Sequence, residues 1–334
     1  MSDAAAAAGA PSPLVASLRG VPLLAGIAEP DLHELAGVLR RREVAAGEVL
    51  WREGEDAQGM LLVLTGRVAA SVRLPGDRAA DVASMGPGEV LGEIPLLDGG
   101  RHSATARVAE DATVLTLSRA DFAGLVSRRH PSASALKRAI ARVACARLRQ
   151  HVGGLAASLE AGTDGTDGTA SPALPPMADL ATSEPPDSTY VRRLAAFRSF
   201  DALALWGLLT AGRFVRCPAG RTLVPEGAVS DTCFVTLNGA VEKVVVRGGQ
   251  RIRVGLAGPG LAFGYESLID GGPSPTTAAT RERTLLLALP GTAFRRLFGG
   301  ETAGSHVFLD VVNRDLMAAL RQALRPHARL AASR

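Results

Sequence analysis

A long internal repeat is the strongest constraint on how this chain can fold. Residues 44–68, VAAGEVLWREGEDAQGMLLVLTGRV, return as residues 217–241, CPAGRTLVPEGAVSDTCFVTLNGAV. Gly47, Glu53, Gly54 and Gly66 match Gly220, Glu226, Gly227 and Gly239, each 173 residues on. Further along, GPGEVLGEIPLLDGG (86–100) matches GPGLAFGYESLIDGG (258–272) at a spacing of 172, and VLTLSRADF (114–122) matches LLALPGTAF (286–294) at the same spacing. One deleted residue accounts for the whole alignment, so the chain is a duplicated domain. Its 334 residues, 47% of them hydrophobic, suffice for two separate cores.

Inside each copy, short runs rich in Leu and β-branched residues, such as MLLVLTGRVAASVRL, are separated by Gly, Pro and Asp turns about every ten residues. That rhythm predicts a mainly β fold, an antiparallel barrel or jelly roll (a double-stranded β-helix) in each copy. A helix should follow each barrel. ALKRAIARVACARLRQHV brings Leu136, Ile140, Val143 and Leu148 near helical spacing, and HVFLDVVNRDLMAALRQAL sets Phe308, Val312, Leu316, Leu320 and Leu324 at successive i+4 steps. Between the copies, residues 160–188 are rich in Gly, Pro, Ser, Thr and Asp without hydrophobic periodicity. The expected domains are a disordered tail at 1–17, a first domain at 18–157, a flexible linker at 158–189 and a second domain at 190–334.

Composition narrows the partners. Only Lys137 and Lys243 are lysines among 37 basic residues, and the net charge is +4. So lopsided an Arg usage reads as background composition rather than a nucleic-acid surface, and the basic stretch at 128–152 reads as a solvated face. Cys145, Cys217 and Cys233 have no C-x-x-C or Cys/His ligand spacing, so no metal is expected and a reducing compartment is. MSDAAAAAGAPSP lacks the basic and apolar blocks of an export signal, and no run of 18 apolar residues exists. A cytoplasmic protein without membrane contact is the expectation.

The spaced glycines Gly47, Gly54 and Gly66 and the cassette GEIPLLDGGRHSAT (92–105) resemble the cyclic-nucleotide-binding domain shared by the catabolite activator family, protein kinase A regulatory subunits and cyclic-nucleotide-gated channels. The resemblance covers about 140 residues per copy. It implies a ribose acceptor at Glu93 and backbone donors at Gly92, Glu93 and Ile94, where a helical turn opens with unpaired N–H groups. It also implies a phosphate-binding arginine directly before a small-residue pair. Here that position is His102, followed by Ser103 and Ala104. An imidazole is mostly neutral at pH 7 and lacks the guanidinium fork, a difference of about 2–3 kcal/mol. Arg101 is the alternative cation, by a one-residue shift of the loop.

The second copy departs further. Glu93 becomes Tyr265, Arg101 becomes Pro273, His102 becomes Ser274 and Ser103 becomes Pro275. Glu266 falls one residue late and by its register is expected to point elsewhere. The second domain therefore reads as degenerate. The sequence holds no G-K-[ST] loop, no H-E-x-x-H pair and no G-x-G-x-x-G after a strand, so no enzyme is expected. With a Pro/Gly linker after the first helix and few residues after the second, the family's winged helix-turn-helix is not expected.

The resulting expectation is a regulatory protein that senses cAMP or cGMP through Gly92, Glu93, Ile94, Arg101, His102, Ser103 and Ala104, without a cofactor. It signals to a protein partner by helix repositioning, and a homodimer through the helices is a further expectation. Two alternatives stay open: a ligand-free interaction or scaffold protein, and a Crp/Fnr-type transcription regulator.

Overall fold

A computed structural model describes residues 13–76, 78–160, 180–247 and 250–331. The first series of elements is α1 (Pro13–Arg19), α2 (Glu29–Val38), β1 (Arg40–Val44), β2 (Val49–Trp51), β3 (Gly59–Arg73), β4 (Ala79–Met85), β5 (Val90–Leu91), α3 (Glu93–Asp98), β6 (Thr105–Ser118), α4 (Arg119–Ser127) and α5 (Pro131–Glu160). The second begins with β7 (Ala181–Thr182), α6 (Ser188–Arg193), α7 (Ala202–Thr210), β8 (Arg213–Cys217), β9 (Thr222–Val224), β10 (Thr232–Asn238) and β11 (Val241–Arg247). It continues with β12 (Gln250–Ala257), β13 (Ala262–Phe263), α8 (Glu266–Asp270), β14 (Thr277–Thr280), β15 (Thr284–Pro290), α9 (Gly291–Gly299) and α10 (Ala303–Ala331).

The duplication is carried through to the fold. From β1 and β8 onward the second series repeats the first, except that the long β3 and β6 are each divided, into β10 with β11 and β14 with β15. All described pairings are antiparallel. The first repeat forms one sheet in the order β1-β6-β3-β4, with β2 on β6 and β5 on β3. The second forms two sheets, β13-β10-β15-β8-β7 and β12-β11-β14-β9. Inward residues from both, among them Val215, Phe234, Phe263 and Leu286 on one and Leu223, Val241, Ala257 and Ala278 on the other, make a single apolar core. Alternate residues of a strand face opposite sides, which is how short Val- and Leu-rich runs line that interior. The expected jelly-roll barrels, each followed by a long helix, are present.

The repeated glycines have a steric cause at the middle of the long strand. Gly66 has φ +77°, and a Cβ on it would stand 2.1 Å from the Asp111 carbonyl oxygen. Its counterpart Gly239 has φ +87°, with the Arg283 carbonyl oxygen 2.8 Å from a Cβ. Two backbones pass too closely there for any side chain, and the left-handed turn is open to glycine at little cost.

Compactness divides the described chain within α5, between Ala139 and Ile140, rather than after residue 157. The first unit takes in residues up to 70, 83–96 and 100–139; the second takes in 71–82, 97–99 and 140 onward. Ile140, Ala144, Cys145, Leu148 and Val152 form a buried stripe along the later turns of α5. The expected stripe of α10 is likewise buried, from Phe308 through Val312, Leu316 and Leu320 to Leu324. Two boundaries differ from expectation. Residues 13–17 of the expected tail belong to α1, where Val15 and Leu18 are fully buried, and residues 1–12 lie outside the described residues. The ends of the expected linker also carry structure: α5 runs to Glu160, β7 pairs with β8, and Asp187 caps α6 by accepting the Thr189 N–H. Residues 161–179 of that linker lie outside the described residues.

α10 is fixed to the second barrel by a buried carboxylate. Asp315 Oδ2 accepts the backbone N–H of Ala262, the first residue of β13, at 2.9 Å. Burial pushes this carboxyl up to about 6, against the opposing pull of the Ala262 N–H and the charges of Arg314 and Lys243. An unfolded aspartate releases its proton near pH 4, so between about pH 4 and 6 the folded state holds an extra proton and stability falls as pH rises.

Gly66→Ala should lower unfolding stability by at least about 2 kcal/mol, since it adds left-handed strain to a backbone overlap. A urea midpoint unchanged from wild type would contradict the close approach. In the same assay, Asp315→Asn should gain stability over wild type at pH 7.5 and lose most of that advantage by pH 4.5, a change on the order of 2–3 kcal/mol. A difference independent of pH would remove the buried carboxylate from the account.

Candidate functional site

The first cassette is built by β5 and the turn into α3. Leu91 pairs with Leu61 of β3, which brings Gly92 against the start of that strand. Gly92 has φ +80°, and a Cβ would lie 2.8 Å from the Gly59 carbonyl oxygen and 3.4 Å from the Trp51 ring. Only glycine fits this turn. Glu93 follows as the first residue of α3 and is 2% exposed, whereas Ile94 is half-buried. A buried carboxylate there is partly favoured by the helix dipole.

The loop from Gly99 to Ala104 closes the cassette. His102 donates its backbone N–H to the Glu55 carbonyl at 3.0 Å, and its own carbonyl accepts the Gly54 N–H at 2.9 Å. This pair of hydrogen bonds fixes the register, so consecutive side chains face opposite ways. Arg101 points outward, with Nε 3.1 Å from Asp56 Oδ1 in a pair that is largely exposed. His102 points inward, 5% exposed, and its ring stacks on Trp51 with centroids 4.3 Å apart and planes 11° apart. The proposed shift that would make Arg101 the inward cation is therefore corrected: the paired backbone at 102 holds that side chain outside. Ser103 and Ala104 are half-buried behind it, and Thr105 Oγ1 accepts the Glu53 N–H at 3.0 Å.

His102 and Trp51 also line a half-open cavity of about 330 Å³, together with Arg42, Asp56, Gln58 and Thr116. Glu93 is not in its wall. The structure thus unites Gly92, Trp51 and His102 directly, and Glu93 joins them through the Gly92 turn.

Two residues of this site escaped the sequence reading. Trp51 is the hinge of the arrangement, and its signal was a lone tryptophan where the second copy has Val224. Arg119, the first residue of α4, donates to the carbonyls of Pro95 at 3.0 Å and Gly100 at 3.3 Å, tying cassette helix to loop. Its counterpart in the second copy is Gly291, so the repeat itself marked the position as different.

The second cassette keeps the backbone and changes the chemistry. Gly264, with φ +74°, repeats the glycine turn, and a Cβ would meet Val224 where Gly92 meets Trp51. Ser274 repeats the pair of backbone hydrogen bonds, its carbonyl accepting the Gly227 N–H at 2.9 Å and its N–H donating to the Ala228 carbonyl at 2.8 Å. Tyr265 stands in place of Glu93, fully buried, and burial pushes its phenol well up. Glu266 does not point away: it is 3% exposed and lines a cavity of about 10 Å³ with Lys243, Pro275, Thr276 and Gln322. Its register led to the expectation that it is directed elsewhere; the structure instead encloses it beside the loop residues Pro275 and Thr276. Arg149 of α5 fills the outer side of this loop, donating to the Pro273 carbonyl at 2.6 Å, and a Cβ on Gly272 would stand 2.5 Å from its guanidinium carbon.

The family profile of the cyclic nucleotide-binding domain matches residues 41–129 and 214–300. A cyclic AMP receptor protein of Thermus thermophilus is 33% identical over 111 residues, 33% of this chain and 51% of that protein. An NTE family protein of Mycobacterium tuberculosis is 33% identical over 127 residues, 38% of this chain and 21% of its own length. The chain thus spans about half of the one relative and about a fifth of the other. The solved regulatory domain of Toxoplasma gondii PKA with cAMP aligns over 86% of this chain and 92% of its own, at 19% identity and a TM-score of 0.33. No described helix is long and apolar enough to cross a membrane. Since the two profile matches together take up more than half of the sequence, one in each repeat, the protein belongs to the cyclic nucleotide-binding domain family and carries the domain twice.

Proposed function

We propose that the protein is a non-enzymatic regulator that takes a cyclic nucleotide at its first cassette and keeps the second as a ligand-free copy. The observation that carries this reading is the contrast at equivalent positions. Buried Glu93 and inward His102 stand where the second repeat has buried Tyr265 and Ser274. Glu93 supplies an acceptor for a ribose hydroxyl, and His102 supplies an imidazole that a phosphate would hold protonated. At the equivalent positions of the second repeat neither group is present, and Pro273 and Pro275 remove two backbone donors from the loop.

Output in this reading runs through α5, the helix that follows the first barrel. A ligand shifts that helix only as far as its affinity differs between the two helix positions. The Thermus relative is named for cyclic AMP, which makes cAMP the first ligand to try; cGMP is the comparison. A second reading, a scaffold without ligand, is favoured by one feature: His102 is already engaged in its stack on Trp51.

Isothermal titration of the purified protein with cAMP and with cGMP separates the two. The first reading predicts one site per chain, weakened about tenfold or more by Glu93→Ala and strengthened by His102→Arg, each tenfold being about 1.4 kcal/mol. Silence in both the wild type and His102→Arg would leave the scaffold reading.

A further inference from the structure

The two cassette helices end on the same residue. Asp98 closes α3 and Asp270 closes α8, 172 residues apart. Each carboxylate lies in an arginine fork. Arg321 donates through Nε and its second terminal nitrogen to the two oxygens of Asp98, at 2.7 and 3.0 Å. Arg149 donates through both terminal nitrogens to Asp270, at 2.5 and 2.7 Å. The arginines are themselves 172 residues apart, on α5 and α10. Both pairs belong to the second compact unit, which includes 97–99 and all of α5 from Ile140.

The same two repeat positions are therefore used twice, and used crosswise. The helix that follows the first repeat holds the aspartate of the second cassette, and the helix that follows the second repeat holds the aspartate of the first. In a chain this rich in arginine, one such pair could arise by chance. Two pairs at equivalent positions, both two-pronged, both partly buried and both exchanged, require a common geometric cause. Two-point arginine–carboxylate contacts out of bulk water are also stronger than exposed pairs. The side chains of Asp98 and Asp270 are 13% and 15% exposed, against 75% for Asp56 in its pair with Arg101.

We propose that these pairs are two copies of one latch, through which the long helix of each repeat grips the cassette of the other, and that Arg321 is thereby a positioning residue for the first cassette. Asp98 lies five residues after Glu93 and one before Gly99, whose φ of +73° starts the loop to His102. Arg321 holds the far end of the cassette helix while Arg119 holds Pro95 and Gly100. The positioning role rests on the nucleotide reading given above; the latch itself does not.

The test is a double-mutant cycle in the full chain with Asp98→Asn and Arg321→Gln, read by urea unfolding, together with the charge exchange Asp98→Arg plus Arg321→Asp. The latch predicts that the two single losses fail to add by about fivefold in the folding constant, about 1 kcal/mol, and that the exchange recovers most of what Asp98→Arg alone loses. Additive losses, or an exchange no better than Asp98→Arg alone, would overturn it. For positioning, Arg321→Gln should weaken cAMP binding about fivefold, and an unchanged affinity would contradict that role. A wild type that binds no nucleotide sinks the cassette reading and the positioning role with it, while the unfolding cycle still decides the latch.

Discussion

Residue 102 exchanges both of its backbone hydrogen bonds with the loop after β2, and the rest of the site follows from that exchange. Once its N–H and carbonyl are bound to Glu55 and Gly54, the loop cannot slide by one residue, because a slide would turn each side chain to the opposite face. Arg101 must then face solvent and His102 must face the barrel. Trp51, at the end of β2, receives the imidazole, and Gly92 is glycine because the same indole and the Gly59 carbonyl stand where a Cβ would go. The second repeat retains the two bonds at Ser274, which is why its cassette has the same backbone although nearly every functional side chain has changed.

That preserved backbone gives the duplication an energetic logic. Replacing Glu93 by Tyr265 exchanges a carboxylate for an aromatic ring that fills the interior, but polar atoms remain enclosed. The Tyr265 hydroxyl and one oxygen of Glu266 have no hydrogen-bond partner among the described residues. Buried groups of this kind each oppose folding by about 1–3 kcal/mol unless water reaches them. Their presence fits a copy whose packing has been adapted from a polar site, with α10 docked over it through Asp315 and Ala262.

Much of this was legible in the sequence, and what was not has a physical reason. The repeat spacing predicted two barrels because glycines such as Gly66 and Gly239 are fixed by backbone contact, which leaves them no substitute. The i+4 stripe from Phe308 to Leu324 predicted the last helix because a helix must bury one face. The direction of Arg101 against His102 was not legible: strand pairing between residues some fifty apart decides it, and no local pattern reports that register. Glu266 was misplaced because its enclosure is made by residues distant in sequence, Lys243 and Gln322 among them. Arg149 and Arg321 were lost among 37 basic residues, since the aspartate each one meets is what sets it apart, and Arg119 was missed although the repeat puts Gly291 in its place.

A crystal structure of the full chain grown with cAMP tests the central claim most directly, the functional inequality of two cassettes on one backbone. The account predicts nucleotide density at the first cassette alone, with the ribose on the Glu93 carboxylate and the phosphate within hydrogen-bond reach of His102, and Tyr265 unmoved in a second cassette without ligand. Nucleotide seated beside Tyr265, or bound to the first repeat away from Glu93 and His102, would contradict it.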